Sequence, residues 1–168
     1  MRVSCGVTLN VWDLSDEEEE KLYSLAEDGM IHLMKLLIQQ KDLLELGISA
    51  NIGRLGFTEL ANLLTHSESN IPSLKLCSEL CNESAAILGT ALATNKTLKK
   101  IQLSHRGRFE HGVEGWRGFS ECLRSPLSAL EELHIGSSSS LTFDCMREVL
   151  MALSRNRLLK RLWLNSSN

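Results

Sequence analysis

The chain has 168 residues, the size of one ordinary domain and long enough to bury a core of its own. Eighteen basic and 21 acidic residues give a formal net charge of −3, and no dense basic run stands with interleaved aromatics, so the footprint of a nucleic-acid binder is missing. No apolar stretch approaches the roughly 20 residues that cross a bilayer, and five cysteines at irregular spacing do not read as a disulfide framework.

From the N-terminus, "MRVSCGVTLNVW" lacks the apolar core and small-residue cleavage site of a secretory signal. The Asn-x-Ser/Thr triplets at Asn82, Asn95 and Asn165 are therefore read as chance, and the expected compartment is reducing and cytoplasmic. "VTLNVW" alternates Val7, Leu9 and Val11 as a strand does. Ser15-x-x-Glu18 makes a capping box, and Glu17 to Glu20 sit at the positive end of the helix dipole it starts. The helical pattern runs on to about Gln40, with a break near Gly29. Residues 1–42 are thus expected to form an atypical first unit, a strand plus a long helix, that caps the elements after it.

Five strand motifs then follow: Leu43-x-x-Leu46-x-Ile48, Ile71-x-x-Leu74-x-Leu76, Leu98-x-x-Ile101-x-Leu103, Leu130-x-x-Leu133-x-Ile135 and Leu159-x-x-Leu162-x-Leu164. They recur every 27 to 32 residues, a solenoid period. The segment before each motif holds an apolar set at i, i+3, i+6 and i+7, the inward stripe of an amphipathic helix. The sets are Met30/Leu33/Leu36/Leu37, Phe57/Leu60/Leu63/Leu64, Ala85/Leu88/Ala91/Leu92, Trp116/Phe119/Cys122/Leu123 and Met146/Val149/Ala152/Leu153. Asn95 and Asn156 fall just past two of these helices, where asparagine tolerates a left-handed backbone, and Pro126 ends a third.

On these motifs, residues 43–168 resemble leucine-rich repeats of the ribonuclease-inhibitor-like subtype, about five units with the last incomplete. The subtype also forms the C-terminal regions of NOD-like receptors and the Ran GTPase-activating proteins. The resemblance implies an α/β leucine-rich-repeat solenoid, a right-handed horseshoe with a parallel sheet on the concave side and helices on the convex side. The family's polar ladder residue is met by Asn51, but Glu79, Arg106 and Ser138 take its place in the next three units. The loop "SHRGRFEHGVEG" from Ser104 to Gly115 is longer than the pattern, and "GSSSS" replaces the usual loop after Ile135.

Candidate chemistry is sparse. Cys77-x3-Cys81 is half a metal site without a second Cys/His pair, Cys81 stands near a loop position the family fills with an apolar residue, and Cys122 and Cys145 fall on or beside the inward helix stripe. His105 and His111 flank Arg106, Arg108, Phe109 and Glu110 in a loop read as a solvent-exposed insertion. No P-loop, nucleophile elbow or zinc-protease string occurs, so no catalytic residue, metal or cofactor is expected.

Strand residues between the motif aliphatics alternate to the other face. They are Glu45/Gly47/Ser49, Ser73/Lys75/Cys77, Lys100/Gln102/Ser104, Glu132/His134/Gly136 and Arg161/Trp163/Asn165, with Thr8/Asn10/Trp12 ahead of them. A non-enzymatic protein-interaction module is expected, gripping a protein partner on the concave sheet through Lys75, Lys100, Gln102, Glu132, His134, Arg161 and Trp163. The alternatives are a repeat array acting on a small GTPase and a piece of a larger NOD-like sensor. Neither nucleic acid nor membrane is an expected partner. Leu164 is followed by only four residues, so the chain is expected either to belong to a longer array or to self-associate through its C-terminal edge strand.

Overall fold

The computed structural model describes residues 6–10, 29, 31–37, 43–49, 52–78, 80–104, 113–136 and 143–164. In chain order the elements are β1 (Gly6–Asn10), α1 (31–37), β2 (Glu45–Ser49), α2 (Gly53–Thr65), β3 (Ser73–Cys77), α3 (Asn82–Thr94), β4 (Lys100–Ser104), α4 (Val113–Arg124), β5 (Glu132–Ile135), α5 (Phe143–Leu153) and β6 (Arg161–Leu164). The six strands form one sheet in sequential order, and every pair is parallel. A parallel pair cannot be joined by a tight turn, so a helical crossover lies between each strand and the next.

The register explains the motif. Leu46, Leu74, Ile101, Leu133 and Leu162 align in one row across the sheet, and Ile48, Leu76, Leu103, Ile135 and Leu164 in the next but one. From β2 to β5 both rows are buried in one cluster with the helix residues Phe57, Leu60, Leu88, Leu92, Phe119 and Val149. Each fully buried side chain of this size removes roughly 1.5–3 kcal/mol worth of apolar surface from water. The fold is thus two-layered, α/β, with helices against one sheet face and the other face uncovered among the described residues.

The expected stripes of α2, α3 and α4 are buried at every position. Helix α1 differs. Leu36 is 61% exposed, while Met34 and Leu37 are buried and Leu33 packs partly against the core. Successive helix residues lie about 100° apart, so an inward arc centred on Met34 and Leu37 turns Leu36 to solvent. In α5, Cys145, Val149 and Ala152 are buried, but Met146 and Leu153 only partly. Leu162 and Leu164 are likewise half-buried, because β6 is the outer strand of the sheet.

Between α3 and α4 the backbones touch. A Cβ on Gly89 would stand 2.3 Å from the Gly118 carbonyl oxygen, and one on Gly118 2.8 Å from the Ala86 Cα. Only glycine permits that approach, which keeps consecutive helices close enough to follow consecutive strands.

The turn after α3 corrects an expectation. Asn95 is extended (φ −70°, ψ 130°), not left-handed. Its side chain closes the turn instead: Nδ2 donates to the Leu64 carbonyl at 2.6 Å, and Oδ1 accepts from the amides of Thr97 at 2.9 Å and Leu98 at 2.6 Å. Asn156 is wired alike, donating to the Leu123 carbonyl at 2.7 Å and accepting from Leu158 and Leu159 at 2.8 and 2.6 Å. Each asparagine ties its own turn to the end of the helix one unit earlier, α2 for Asn95 and α4 for Asn156. Side-chain bonding, rather than backbone permissiveness, selects the residue.

The N-terminal unit is described only at β1, Gly29 and residues 31–37. Val7 pairs with Leu46 and Leu9 with Ile48, which places the expected first strand beside β2. The capping box at Ser15 and Glu18, the acidic run, Trp12, the ladder positions Asn51, Glu79, Arg106 and Ser138, and the histidines His105 and His111 lie outside the described residues.

Candidate functional site

The uncovered sheet face is ordered by the same register that builds the core. Lys100, Glu132 and Arg161 are direct neighbours on β4, β5 and β6. One row further along, Lys75, Gln102, His134 and Trp163 align on β3 to β6, after Gly47 on β2. All seven expected contact residues therefore share one face, with neighbours about 4.8 Å apart between strands.

Glu132 is the hub. Its carboxylate pairs with the Arg161 guanidinium, and Lys100 Nζ and His134 Nε2 each lie 3.9 Å from Oε2. Strand alternation alone suggests an open side chain at Glu132, yet only 17% of it is exposed beneath these cations. His134 lies flat against Trp163, the rings 3.8 Å apart and inclined by 25°, with the Arg161 guanidinium 5.9 Å from the indole centroid. His134 Nε2 is shielded and has no hydrogen-bond partner among the described residues. Burial, then Lys100 and to a smaller extent Arg161, hold the His134 pKa below the ordinary histidine value, while Glu132 opposes them. The surroundings therefore favour the neutral imidazole. Trp163 keeps 37% of its surface open.

Further groups, outside the expected contact set, lie on this face or at its edge. Glu45 pairs with Lys75 at 2.8 Å and accepts from the Ser73 hydroxyl at 3.3 Å, so Lys75 is already occupied. At the entry to the strands, backbone bonds from Glu131 to Lys99 and from Lys160 to Glu131 align a further row. There Lys160 Nζ bonds Glu131 Oε2 at 2.8 Å, and that bond, with the charges of Lys99 and Arg161, holds the Glu131 carboxyl below the usual range. Opposite charges one period apart, at 99/131/160 and 100/132/161, are the signal that finds both rows.

Elsewhere the candidates disperse. Leu80 fills the apolar position after β3, and Cys81 caps α3 with its sulfur accepting from the Ser84 amide at 3.5 Å. Burial raises the Cys81 pKa, but the bonds from Ser84 and Glu83 outweigh it and leave it lowered. Burial pushes the Cys122 thiol up to about 12, in keeping with a packing role. Among the described residues no three histidine, cysteine or acidic side chains gather as a metal site, and no helix is long and apolar enough to cross a membrane.

No protein-family model matches the chain, and no match was found among curated proteins.

Proposed function

We propose that the chain is a ribonuclease-inhibitor-like leucine-rich-repeat solenoid, a right-handed horseshoe whose concave sheet binds a protein partner without catalysing a reaction. The observation that carries this reading is the open sheet face, where Lys100, Glu132, Arg161, Gln102, His134 and Trp163 stand in register over an aliphatic core. A rigid polar surface with a part-exposed tryptophan and arginine fits protein recognition. The partner would be cytoplasmic.

Removing the charges of Lys100 and Arg161 together, as Lys100→Gln and Arg161→Gln, is expected to weaken capture of the partner at least tenfold. Charge reversal is a poorer test, since it would crowd two further carboxylates around Glu132. Exposed ion pairs contribute about 0.2–1 kcal/mol, and for a chain of this size about 1 kcal/mol moves Tm by 2–4 °C. Two such pairs are lost, so the melting temperature should fall by no more than about 8 °C. Lys96→Glu, in the exposed turn after α3, should leave capture unchanged. Loss of capture with Lys96→Glu but not with the paired substitution would refute the concave site.

Self-association through the edge of β6 is a second reading, favoured by one observation. The last helix before β6, α5, exposes Phe143, Leu150 and Met151, with Phe143 at 82%. A concentration-dependent mass by light scattering that reverts to monomer with Leu150→Lys and Trp163→Lys supports it. A monomer at high concentration, unaffected by either change, removes it.

A further inference from the structure

We infer that the partner presents an acidic, extended peptide segment to the β4–β6 end of the open sheet face. This rests on the binding face proposed above and names its ligand chemistry.

Two adjacent rows repeat one arrangement, cation, carboxylate, cation. Lys99, Glu131 and Lys160 form the first by backbone bonding, and Lys100, Glu132 and Arg161 the second by register. Four cations thus surround two carboxylates at this end. At the β2–β3 end, Glu45 and Lys75 balance each other.

The excess is of donors as well as charge. A lysine ammonium offers three N–H groups and a guanidinium five, whereas a carboxylate is an acceptor only. Glu132 sits beneath Lys100 and Arg161, and those cations keep 37% and 61% of their side chains exposed. Their outward donors are open to acceptors from outside. Trp163 adds an apolar plane next to them. A peptide with spaced carboxylates and an apolar side chain between them satisfies both features.

Nucleic acid satisfies them less well. Its unbroken line of phosphates would meet Glu131 and Glu132 between the cations, and three strands span only about 10 Å. The chain as a whole is also acidic, at −3.

Binding should also take up a proton. The groups facing His134 are Lys100 and Gln102 on β4, Glu132 on β5, and Arg161 and Trp163 on β6. Burial and the cations depress the imidazole pKa in the free protein. An added carboxylate opposes the cations and raises that pKa. Affinity for an acidic peptide must then increase as pH falls through the range in which the bound imidazole takes up its proton. Each unit by which binding raises the pKa strengthens binding by up to about tenfold.

The test uses fluorescence anisotropy on the full chain with four labelled probes. They are a glutamate-rich dodecapeptide containing one leucine, the same peptide with lysine for glutamate, the same with glutamine, and a twelve-nucleotide single-stranded DNA. The acidic peptide is expected to bind most tightly and to weaken with added salt. Lys100→Gln with Arg161→Gln should weaken it at least tenfold, and His134→Gln should flatten the pH dependence. Tighter binding of DNA or of the lysine peptide overturns the inference, as does equal binding by wild type and the paired variant. Binding of the glutamine peptide that is lost in Trp163→Ala, with the acidic peptide inert, overturns the acidic ligand and keeps the binding face. Silence of all four probes also overturns it, and the capture comparison then decides the face independently.

Discussion

Asn95→Ala is expected to destabilise the protein by about 2–4 kcal/mol in equilibrium denaturation. The side chain is buried and makes three bonds to main-chain groups, one of them to the Leu64 carbonyl at the end of the helix one unit earlier. That carbonyl belongs to the last turn of α2, where helix geometry supplies no partner. Asn95 also accepts at its own carbonyl from the Ala129 amide, so one residue joins three successive stretches of the chain. Alanine leaves the Leu64 carbonyl and the Leu98 amide short of a partner, and each buried orphan costs about 1–3 kcal/mol. Asn95→Asp keeps the acceptor and loses the donor, so it should recover only part of the loss. Asn156 makes the same three bonds but is only half-buried, and water can replace what alanine removes. Its loss should be smaller, about 1–2 kcal/mol. A cost below about 1 kcal/mol at Asn95, or a larger one at Asn156, would show that these asparagines only terminate helices.

The contrast between those asparagines and the strand leucines shows what a sequence exposes. Leu133 could be placed because a period of two and a period of about 30 residues agree on it. Both periods are geometric and survive any choice of neighbours. Asn95 could be placed past its helix, but not given its conformation, because a hydrogen bond to Leu64 depends on a helix 31 residues away. The same limit hid the pairing of Glu45 with Lys75 and the stack of His134 on Trp163. Alternation put those side chains on one face, and only the register between strands says which of them meet. Leu36 failed for a simpler reason: a four-residue apolar set is wider than the buried arc of α1, and spacing alone does not reveal its centre.

Leu133→Ala is expected to cost about 2–5 kcal/mol, among the largest effects of any single core truncation here. Leu133 is fully buried on β5, between Ile101 and Leu162, and the strand is held on both sides, so the site cannot collapse around the lost atoms. The adjacent residue on the opposite face makes the control. Glu132→Gln removes a charge from a pair of surface ion bridges worth about 0.2–1 kcal/mol each, and its amide still accepts from the cations. Its stability loss should stay under about 1.5 kcal/mol. Binding should move the other way. Held at a temperature where it remains folded, Leu133→Ala should bind the acidic peptide as the wild type does. Glu132→Gln frees Lys100 and Arg161 and should bind it more tightly. Equal stability losses at the two positions would mean the inner and outer faces of β5 are exchanged, since a shift of one residue swaps every side chain on a strand. Unequal losses with weaker binding by Glu132→Gln would instead make the carboxylate, rather than the cations around it, the group that the partner contacts.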